Sequence, residues 1–249
     1  MRNPTEVLRT LSEKSREKSY RFQRLYRNLY NPEFYYLAYN NICTGQGNMT
    51  SGIDGQTIDG MSAERIDKII ASLKDHSYQP TPARRAYIEK KNSDKKRPLG
   101  ISSAADKLVQ EVVRMILESI YEPNFSPNSH GFRPKRSCHT ALKHIDINFK
   151  GAVWFVEGDI KACFDSFDHQ VMVTALRERI DDEYFIALIW KFLRAGYMEQ
   201  WKFHKTYAGT PQGSGVSPIL ANIYLDKLDR FMENYKSSFD KGSKNRKVD

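Results

Sequence analysis

The feature that most constrains the fold is an apolar run that ends in aspartates, WFVEGDIKACFDSFDH at residues 154–169. Together with the preceding GAV, this run predicts a buried β-strand, and Asp159 follows the strand directly. A carboxylate at the end of a rigid strand faces whatever lies beyond the sheet, a position suited to binding a divalent metal ion. Asp168 precedes the predicted helix HQVMVTALRERI and is explained as its N-cap, whereas Asp165 stays unassigned.

Composition and charge indicate a globular protein with a polyanionic partner. A chain of 249 residues with 40% hydrophobic content can bury a core, and 39 Lys and Arg against 30 Asp and Glu give a net charge of +9. Nucleic acid leads the candidate partners, and a basic protein that is merely well solvated is the alternative. The sequence has no apolar leader and no run long enough to cross a membrane, so we expect a cytoplasmic protein without a membrane partner.

Small functional motifs are few. The three cysteines, Cys43, Cys138 and Cys163, lie far apart without CxxC spacing and predict reduced thiols. No phosphate-binding glycine loop and no nucleophile-elbow serine occurs. Zinc binding is disfavoured, because no usual ligand spacing fits the candidates His130, Cys138, His139 and His144.

A basic β-ribbon is predicted at residues 84–101, RRAYIEKKNSDKKRPLGI, with the turn at Asn92-Ser93-Asp94. Lysines on an exposed ribbon protect it against edge-to-edge pairing, which is one explanation of the charge. Arginines at both ends favour phosphate binding instead, because the guanidinium fork matches phosphate oxygens. The basic residues are Arg84, Arg85, Lys90, Lys91, Lys95, Lys96 and Arg97.

Most of the remaining chain reads as helices. Periodicity predicts a helix over 6–30 whose charged face is either solvated or in contact with RNA, then a glycine-rich loop at 45–60 and helices over 62–75 and 104–121. A basic loop at 129–137 precedes a helix in CHTALKHIDINFK. Two further helices follow Asp168, and YMEQW with KTYAG predicts a hairpin. The loop GTPQGSGVSP leads into a helix with Ser217 as its N-cap and Pro218 at its first position, which ends near Tyr235.

Several of these stretches together resemble a known family. The stretches are FVEGDIKACFDSFDH, GTPQGSGVSPILANIYLDKLD, RPLGI and SHGFRPKRSCHTAL. In this order they are similar to the fingers and palm of a group II intron reverse transcriptase, the intron-encoded maturase. The resemblance extends from NPEFYYLAYNNI and GIDGQTIDG to the helix ending near Tyr235, nearly the whole chain.

The resemblance implies an α+β fold with the fingers and palm subdomains of a right-hand polymerase, helix-rich with short antiparallel sheets. It implies an N-terminal helical extension at 1–45, fingers at 46–150 and a partial palm at 151–235. We expect residues 236–249 to be a polar, disordered tail.

It also implies a nucleotide site built around Asp159. This residue would be the first metal-binding aspartate of a two-Mg²⁺ centre, with the carbonyl of Ile160 as a neighbouring ligand. Phe164 would lie beneath the deoxyribose and leave no room for a 2′-hydroxyl. Gln212 would contact the nucleotide, and Gly213 would allow its close approach.

The same resemblance implies binding roles for several basic residues. Arg84, Lys90 and Arg97 would bind the triphosphate of the incoming nucleotide, and Arg133 would contact the backbone of template or primer. In the N-terminal extension, RNA contact is implied for Arg16, Arg21 and Arg24. The implied partners are intron RNA, an RNA template, a DNA primer and deoxynucleotides, and a dimer is neither predicted nor excluded.

The sequence departs from the family pattern in two ways. Glu89 and Ser102 replace prolines that usually flank the ribbon, which loosens its loops. No YADD-type aspartate pair follows the helix ending near Tyr235, and Asp181-Asp182 lacks the required hairpin context. We therefore expect an RNA-directed DNA polymerase and splicing cofactor of which this chain is a fragment unable to polymerise alone. A non-catalytic RNA-binding splicing cofactor is the alternative, and retron or diversity-generating reverse transcriptases are a minor one.

Overall fold

The computed structural model describes residues 2–45, 47–90, 93–210 and 213–242, and the side chains of residues 90, 93–95 and 242 lie outside that description. The helices in these ranges are α1 Pro4–Ser15, α2 Pro32–Ile42, α3 Ala63–Lys74, α4 Ala104–Tyr121, α5 Cys138–Asn148, α6 Cys163–Ser166, α7 His169–Arg177, α8 Glu183–Arg194 and α9 Ser217–Gly242. The strands are β1 Ala83–Lys90, β2 Ser93–Ile101, β3 Tyr197–Glu199 and β4 Lys202–His204.

Helix α4 lies at the centre of the hydrophobic core. Its sequence is apolar around most of its circumference, as expected for a helix covered on several sides, and Leu108, Val112 and Ile116 are fully buried. Side chains of α2, α3, α7 and α8 and of the segment between α1 and α2 belong to the same core cluster. The predicted helical character of the chain is confirmed, as is its α+β class.

The four strands form one sheet in the order β2-β1-β3-β4. The ribbon is antiparallel as predicted, although Ser93 and Asp94, predicted as part of its turn, belong to β2. The hairpin is antiparallel too, but its second strand is Lys202–His204 and not the predicted KTYAG at 205–209. The ribbon and the hairpin are joined by a parallel pairing of β1 with β3, in which Ala83 pairs with Tyr197 and Arg84 with Met198. The short strands therefore form one small mixed sheet, with a parallel pairing between the predicted antiparallel units. The parallel contact satisfies backbone groups at the start of β1, as in the bond from the Ala83 N–H to the Gly196 carbonyl at 3.0 Å.

The predicted N-terminal helix over 6–30 is not continuous. Helix α1 ends at Ser15, and a 3₁₀ helix follows at Tyr26–Tyr30. Between them Phe22 is buried and forms an isolated parallel bridge with Ile180, donating from its N–H to the Arg179 carbonyl and accepting from the Asp181 N–H. Tertiary pairing thus overrides the local helical periodicity.

The predicted strand at 151–159 is absent. Residues 153–160 have no backbone hydrogen bond to other described residues, and Val153, Trp154, Phe155 and Val156 are 86, 88, 69 and 92% exposed. A strand needs a neighbour that pairs its backbone groups, and the described part of the chain brings none alongside. Helix α5, directly before it, buries none of its residues. Residues 138–160 therefore lie outside the core.

Helix α9 continues to Gly242, seven residues beyond the predicted end at Tyr235, so the polar tail does not begin at 236. The remainder of the predicted tail, 243–249, lies outside the described residues. All three cysteines are free thiols, as predicted. Within the described ranges no helix is long and apolar enough to cross a bilayer.

Candidate nucleotide-binding site

The register of the ribbon places two predicted phosphate-binding arginines on one face. Arg84 pairs with Ile101, and Ile88 pairs with Arg97. Cross-strand partners share a face and alternate residues along a strand share one too, so Arg84, Ile88 and Arg97 all project to the same side. Arg97 is exposed and Arg84 is half-buried on this face, while Arg85 and Lys96 lie on the opposite one.

The glycine-rich loop at 45–60 contacts the side chain of Arg84 on this face of the ribbon. The Arg84 guanidinium donates from Nε and Nη2 to the Ser51 carbonyl at 3.0 and 2.8 Å, which orients the side chain. Lys107 donates to the carbonyls of Gly47 and Thr50 in the same loop. Burial, and next the positive charge of Arg84, lower the pKa of Lys107. The loop thus holds two neighbouring cations through its carbonyl oxygens.

The loop before α9 contacts both the ribbon and the segment around Phe164. A Cβ added at Gly213 would lie 2.9 Å from the Gly100 carbonyl oxygen, and one at Gly209 would lie 2.6 Å from that of Phe164. Both glycines have positive φ, +103° and +79°, which other residues adopt only at a cost. Thr210 donates its N–H to the Phe164 carbonyl at 2.7 Å. Three predicted motifs therefore meet at this loop.

Phe164 lies on the short helix α6 with its ring half-buried. The ring is edge-on to those of Phe132 and Phe167, with centroid distances of 5.9 and 6.0 Å. Packing against two rings fixes its orientation more firmly than a solvent-exposed side chain would allow.

Asp159 and Ile160 lie on the exposed segment before α6. Burial, and then the negative charge of Asp159, raise the pKa of the Cys163 thiol. In the described part of the chain no group of three or more His, Cys, Asp or Glu side chains lies close enough to hold a metal ion. The described residues around Asp159 therefore do not by themselves fit a two-Mg²⁺ centre.

Gln110, which sequence reasoning missed, connects these parts from inside α4. Its Oε1 accepts from the Ser214 hydroxyl at 3.0 Å and from the Gly215 N–H at 3.1 Å, and its Nε2 donates to the Ser102 hydroxyl at 3.3 Å. Gln110 is only 5% exposed, so these bonds satisfy an otherwise buried amide. Its signal in the sequence is a polar residue next to the apolar positions Val109, Val112 and Val113, which are buried.

Asp106, one turn earlier in α4, was missed as well. Its carboxylate accepts from the Tyr78 hydroxyl, the Ser103 hydroxyl at 2.7 Å, and the Thr81 N–H and hydroxyl at 3.0 and 2.6 Å. Because Thr81 lies two residues before β1, the carboxylate fixes the chain where the ribbon begins.

Arg133 does not contribute to the basic surface. Its side chain is 5% exposed and forms an ion pair with Glu122, while its Nη1 donates to the Ser126 and Ser129 carbonyls at 2.6 and 2.8 Å. All its nitrogens are engaged within the protein, so the predicted contact with template or primer is not available in this conformation. We assign it a structural role.

The N-terminal arginines are exposed and separate from the ribbon in sequence. Arg16 caps the C-terminus of α1, Arg21 donates to the Arg177 carbonyl at 2.8 Å, and Arg24 has the left-handed φ of 57°. Arg24 and Arg27 border a cavity of about 810 Å³ between α1 and residues 20–31, which Arg2, Lys14 and Lys74 also line. The cavity is strongly cationic, with Glu6 as the acidic residue lining it.

Two predicted nucleotide contacts cannot be placed. The side chain of Lys90 and all of Gln212 lie outside the described residues. Asp168, by contrast, is confirmed as the N-cap of α7, since its carboxylate accepts from the Val171 N–H at 2.9 Å.

Comparison with known proteins agrees with these motifs. Residues 88–243 match the profile of the reverse transcriptase (RNA-dependent DNA polymerase) family. The group II intron-encoded protein LtrA of Lactococcus lactis subsp. cremoris is 55% identical over 99% of this chain and 41% of its own length. A 91 kDa protein in the cob intron of Schizosaccharomyces pombe is 52% identical over 94% of this chain and 30% of its own length.

The chain thus spans less than half the length of these relatives. Among solved structures, a partial Cas6-RT-Cas1–Cas2 complex superposes with a TM-score of 0.56 at 21% identity, covering 84% of this chain and 35% of the other. At that identity the likeness concerns the fold alone. The profile match and the intron-encoded relatives together show that the chain belongs to the reverse transcriptase family, among its group II intron-encoded members.

Proposed function

We propose that this chain is the nucleotide- and template-binding part of a group II intron-encoded reverse transcriptase that also binds its intron RNA to aid splicing. The observation that carries the proposal is the meeting of three motifs. Gly213 of the PQG loop lies against the end of β2, and Gly209 lies against Phe164. A nucleotide held between the arginine face of the ribbon and the Phe164 ring would touch all three.

Each residue has a chemical task in this proposal. Arg84 and Arg97 offset the negative charge of the triphosphate, which grows as the pyrophosphate departs. Lys90 is proposed for the same task. The ring of Phe164 packs beneath the sugar, so a ribonucleotide loses affinity because its 2′-hydroxyl finds neither space nor a hydrogen-bond partner. Gln212 contacts the nucleotide, and Gly213 permits close approach.

Magnesium is the metal ion generally used by reverse transcriptases. We propose Asp159 and the carbonyl of Ile160 as ligands, with further carboxylates supplied from outside the described residues. The described residues contain no group of three or more His, Cys, Asp or Glu side chains that could hold a metal ion. For the same reason we propose that the 249-residue chain alone does not extend a primer.

Nucleotide binding by the 249-residue chain is the direct test. We expect deoxythymidine triphosphate to bind more tightly than uridine triphosphate in equilibrium dialysis, and Phe164→Ala to reduce that difference while leaving the fold intact. Arg84→Ala and Arg97→Ala should each weaken both nucleotides. If the wild-type chain binds both nucleotides with equal affinity, Phe164 does not select against the 2′-hydroxyl. Primer extension by the purified chain that is abolished by Asp159→Ala would overturn the proposed inactivity.

A non-catalytic RNA-binding splicing cofactor is the second candidate. The exposure of Asp159, without a carboxylate cluster among the described residues, favours it. The variant Asp159→Ala distinguishes the two functions when it is made in a chain as long as the intron-encoded relatives. A polymerase loses primer extension in that variant and keeps RNA binding, whereas a pure cofactor shows no primer extension in either form and keeps splicing.

A further inference from the structure

Trp201 is the most exposed of the large hydrophobic side chains in the described structure, at 98%. It lies at the tip of the β3–β4 hairpin, where Glu199 pairs with Lys202 across a two-residue turn. Burying an indole ring is favourable, so an indole that packs on nothing forfeits a large gain. The exposure calls for a partner that covers the ring.

The backbone conformation of the turn also makes tryptophan an unfavourable residue at position 201. Gln200 and Trp201 both have positive φ, 49° and 63°, as in a type I′ hairpin turn. Such turns favour Asn-Gly, because a Cβ atom is strained in the left-handed region and asparagine is among the few residues besides glycine that adopt it readily. Neither hairpin formation nor solubility explains a tryptophan at this position.

The hairpin is also held firmly, so the ring is presented from a rigid support. Tyr197 stacks on His204 at 4.9 Å and is covered by the Arg85 guanidinium at 3.8 Å. The Tyr87 hydroxyl of β1 donates to the Glu199 carboxylate. Gly196 approaches the His204 carbonyl so closely that a Cβ would lie 2.5 Å from its oxygen. A preorganised aromatic ring binds with little loss of conformational entropy.

The charges around the tip are mainly positive. Residues 194–207 contain Arg194, Lys202 and Lys205 against the single acid Glu199, whose carboxylate is bonded to Tyr87. Lys202 and Lys205 are exposed and have no ion-pair partner in the described part of the chain. Tyr207, 82% exposed, adds a second aromatic ring after β4. Interleaved cations and open aromatic rings are typical of surfaces that bind single-stranded nucleic acid.

We propose that Trp201 stacks on a base of single-stranded RNA whose phosphates are bound by Lys202 and Lys205. The proposal rests on the nucleic-acid binding proposed above and adds a contact outside the nucleotide site. The strand must be single, because bases within a duplex are stacked on each other and offer no free face.

Fluorescence of Trp201 alone tests the contact. The chain has three tryptophans, so Trp154→Phe with Trp190→Phe leaves Trp201 as the only indole. We titrate this variant with an end-labelled uridine oligomer of ~12 nucleotides, within the range that such a surface covers. Anisotropy of the label reports binding, and quenching of the indole reports stacking. Inorganic polyphosphate, which has no bases, should bind without quenching.

Trp201→Gly removes the ring without endangering the hairpin, because glycine prefers the positive φ of this position. We expect the melting temperature to stay the same or rise, and the oligomer to bind about 5- to 150-fold more weakly. Met232→Ala on α9, where the side chain is 53% exposed, is the matched control and should bind like the wild type.

Three outcomes overturn the inference, and they differ from failure of the proposed function. Binding seen by anisotropy without quenching, or wild-type affinity in Trp201→Gly, refutes the stacking contact and leaves RNA binding standing. If sedimentation shows that the chain forms dimers, and the indole emission changes with protein concentration, then a second copy of the chain covers Trp201 instead. If the oligomer does not bind at all, the proposed RNA binding fails together with the inference.

Discussion

The guanidinium of Arg133 lies between the loop before α5 and the end of α4. It pairs with Glu122, whose side chain is 26% exposed, and donates to two carbonyls of the loop, while the guanidinium itself is buried. Removing one partner of a buried pair leaves the other charge unpaired, and such losses amount to about 3–5 kcal/mol. The residue therefore stabilises the fold rather than a ligand.

Substitutions at Arg133 distinguish the two roles. We expect Arg133→Ala to lower the free energy of unfolding by about 3–5 kcal/mol in urea denaturation. Arg133→Lys keeps the charge but loses the planar fork, so it should lie between the wild type and Arg133→Ala. Wild-type stability with weakened RNA binding in Arg133→Ala would instead restore the role predicted from the sequence.

The pKa of Asp229 on α9 is raised, first by burial and then by the nearby carboxylates of Asp226 and Glu233. A carboxyl whose folded pKa exceeds its unfolded pKa binds its proton more tightly in the folded state. Its contribution to stability is thus favourable at low pH and is lost as the pH rises through the folded pKa. At neutral pH the ionised Asp229 destabilises the protein.

Asp229→Asn removes this effect while keeping the shape of the side chain. We expect the variant to be more stable than the wild type at pH 7, by less than about 1 kcal/mol because the half-buried group is screened by solvent. Near pH 3, where wild-type Asp229 is protonated, the difference should vanish. Thermal melts across this range measure it, and a gain that persists unchanged at low pH would contradict the assignment.

Helix α7 begins at a single polar contact, from the Val171 N–H to the Asp168 carboxylate. We expect Asp168→Ala to cost about 1 kcal/mol of stability, and Asp168→Asn, an equally good N-cap, to cost little. Urea denaturation of both variants is the measurement. Had Asp168 been a metal ligand rather than a cap, Asn would weaken Mg²⁺ binding as strongly as Ala.

Elements whose stability is local were predictable from the sequence. The N-cap Asp168, the ribbon and helix α4 follow from short-range patterns, and each was confirmed. The break after α1 depends on Phe22 pairing with Ile180, a contact that no window of sequence contains. At 151–159 the sequence predicts a strand that the structure lacks. Its apolar residues favour a strand, but a strand also needs a neighbour with which to pair.

In the candidate site, too, some features follow from the local sequence and others depend on tertiary packing. The ribbon was predicted, but its register was not: the predicted turn at Asn92-Ser93-Asp94 would pair Arg97 with Glu89, whereas Arg97 pairs with Ile88 and therefore shares a face with Arg84. The closeness of Gly209 to Phe164 and the bonds of Gln110 depend on how α4 packs against distant loops. The pairing of Arg133 was not predictable for a related reason, because a basic loop motif does not reveal that Glu122 lies within reach.

At the scale of the whole molecule, one well-packed core adjoins an uncovered apolar segment. We expect chymotrypsin to cleave first within residues 153–160, next to Trp154 or Phe155, because this backbone is exposed and unpaired. Trp201 is equally exposed but lies in a paired hairpin, so cleavage there should be slower. Mass spectrometry of early fragments distinguishes the sites, and first cleavage at Trp201 would contradict the expectation.

The bridge between Phe22 and Ile180 also bears on the order of events during synthesis. The neighbouring bond from Gln23 to Asp181 joins residues 158 positions apart. At ribosomal rates of about 5–20 residues per second, the N-terminal segment waits on the order of ten seconds or more for its partner to emerge. Throughout that interval Phe22 and Leu25 are uncovered on the nascent chain, where a chaperone can bind them.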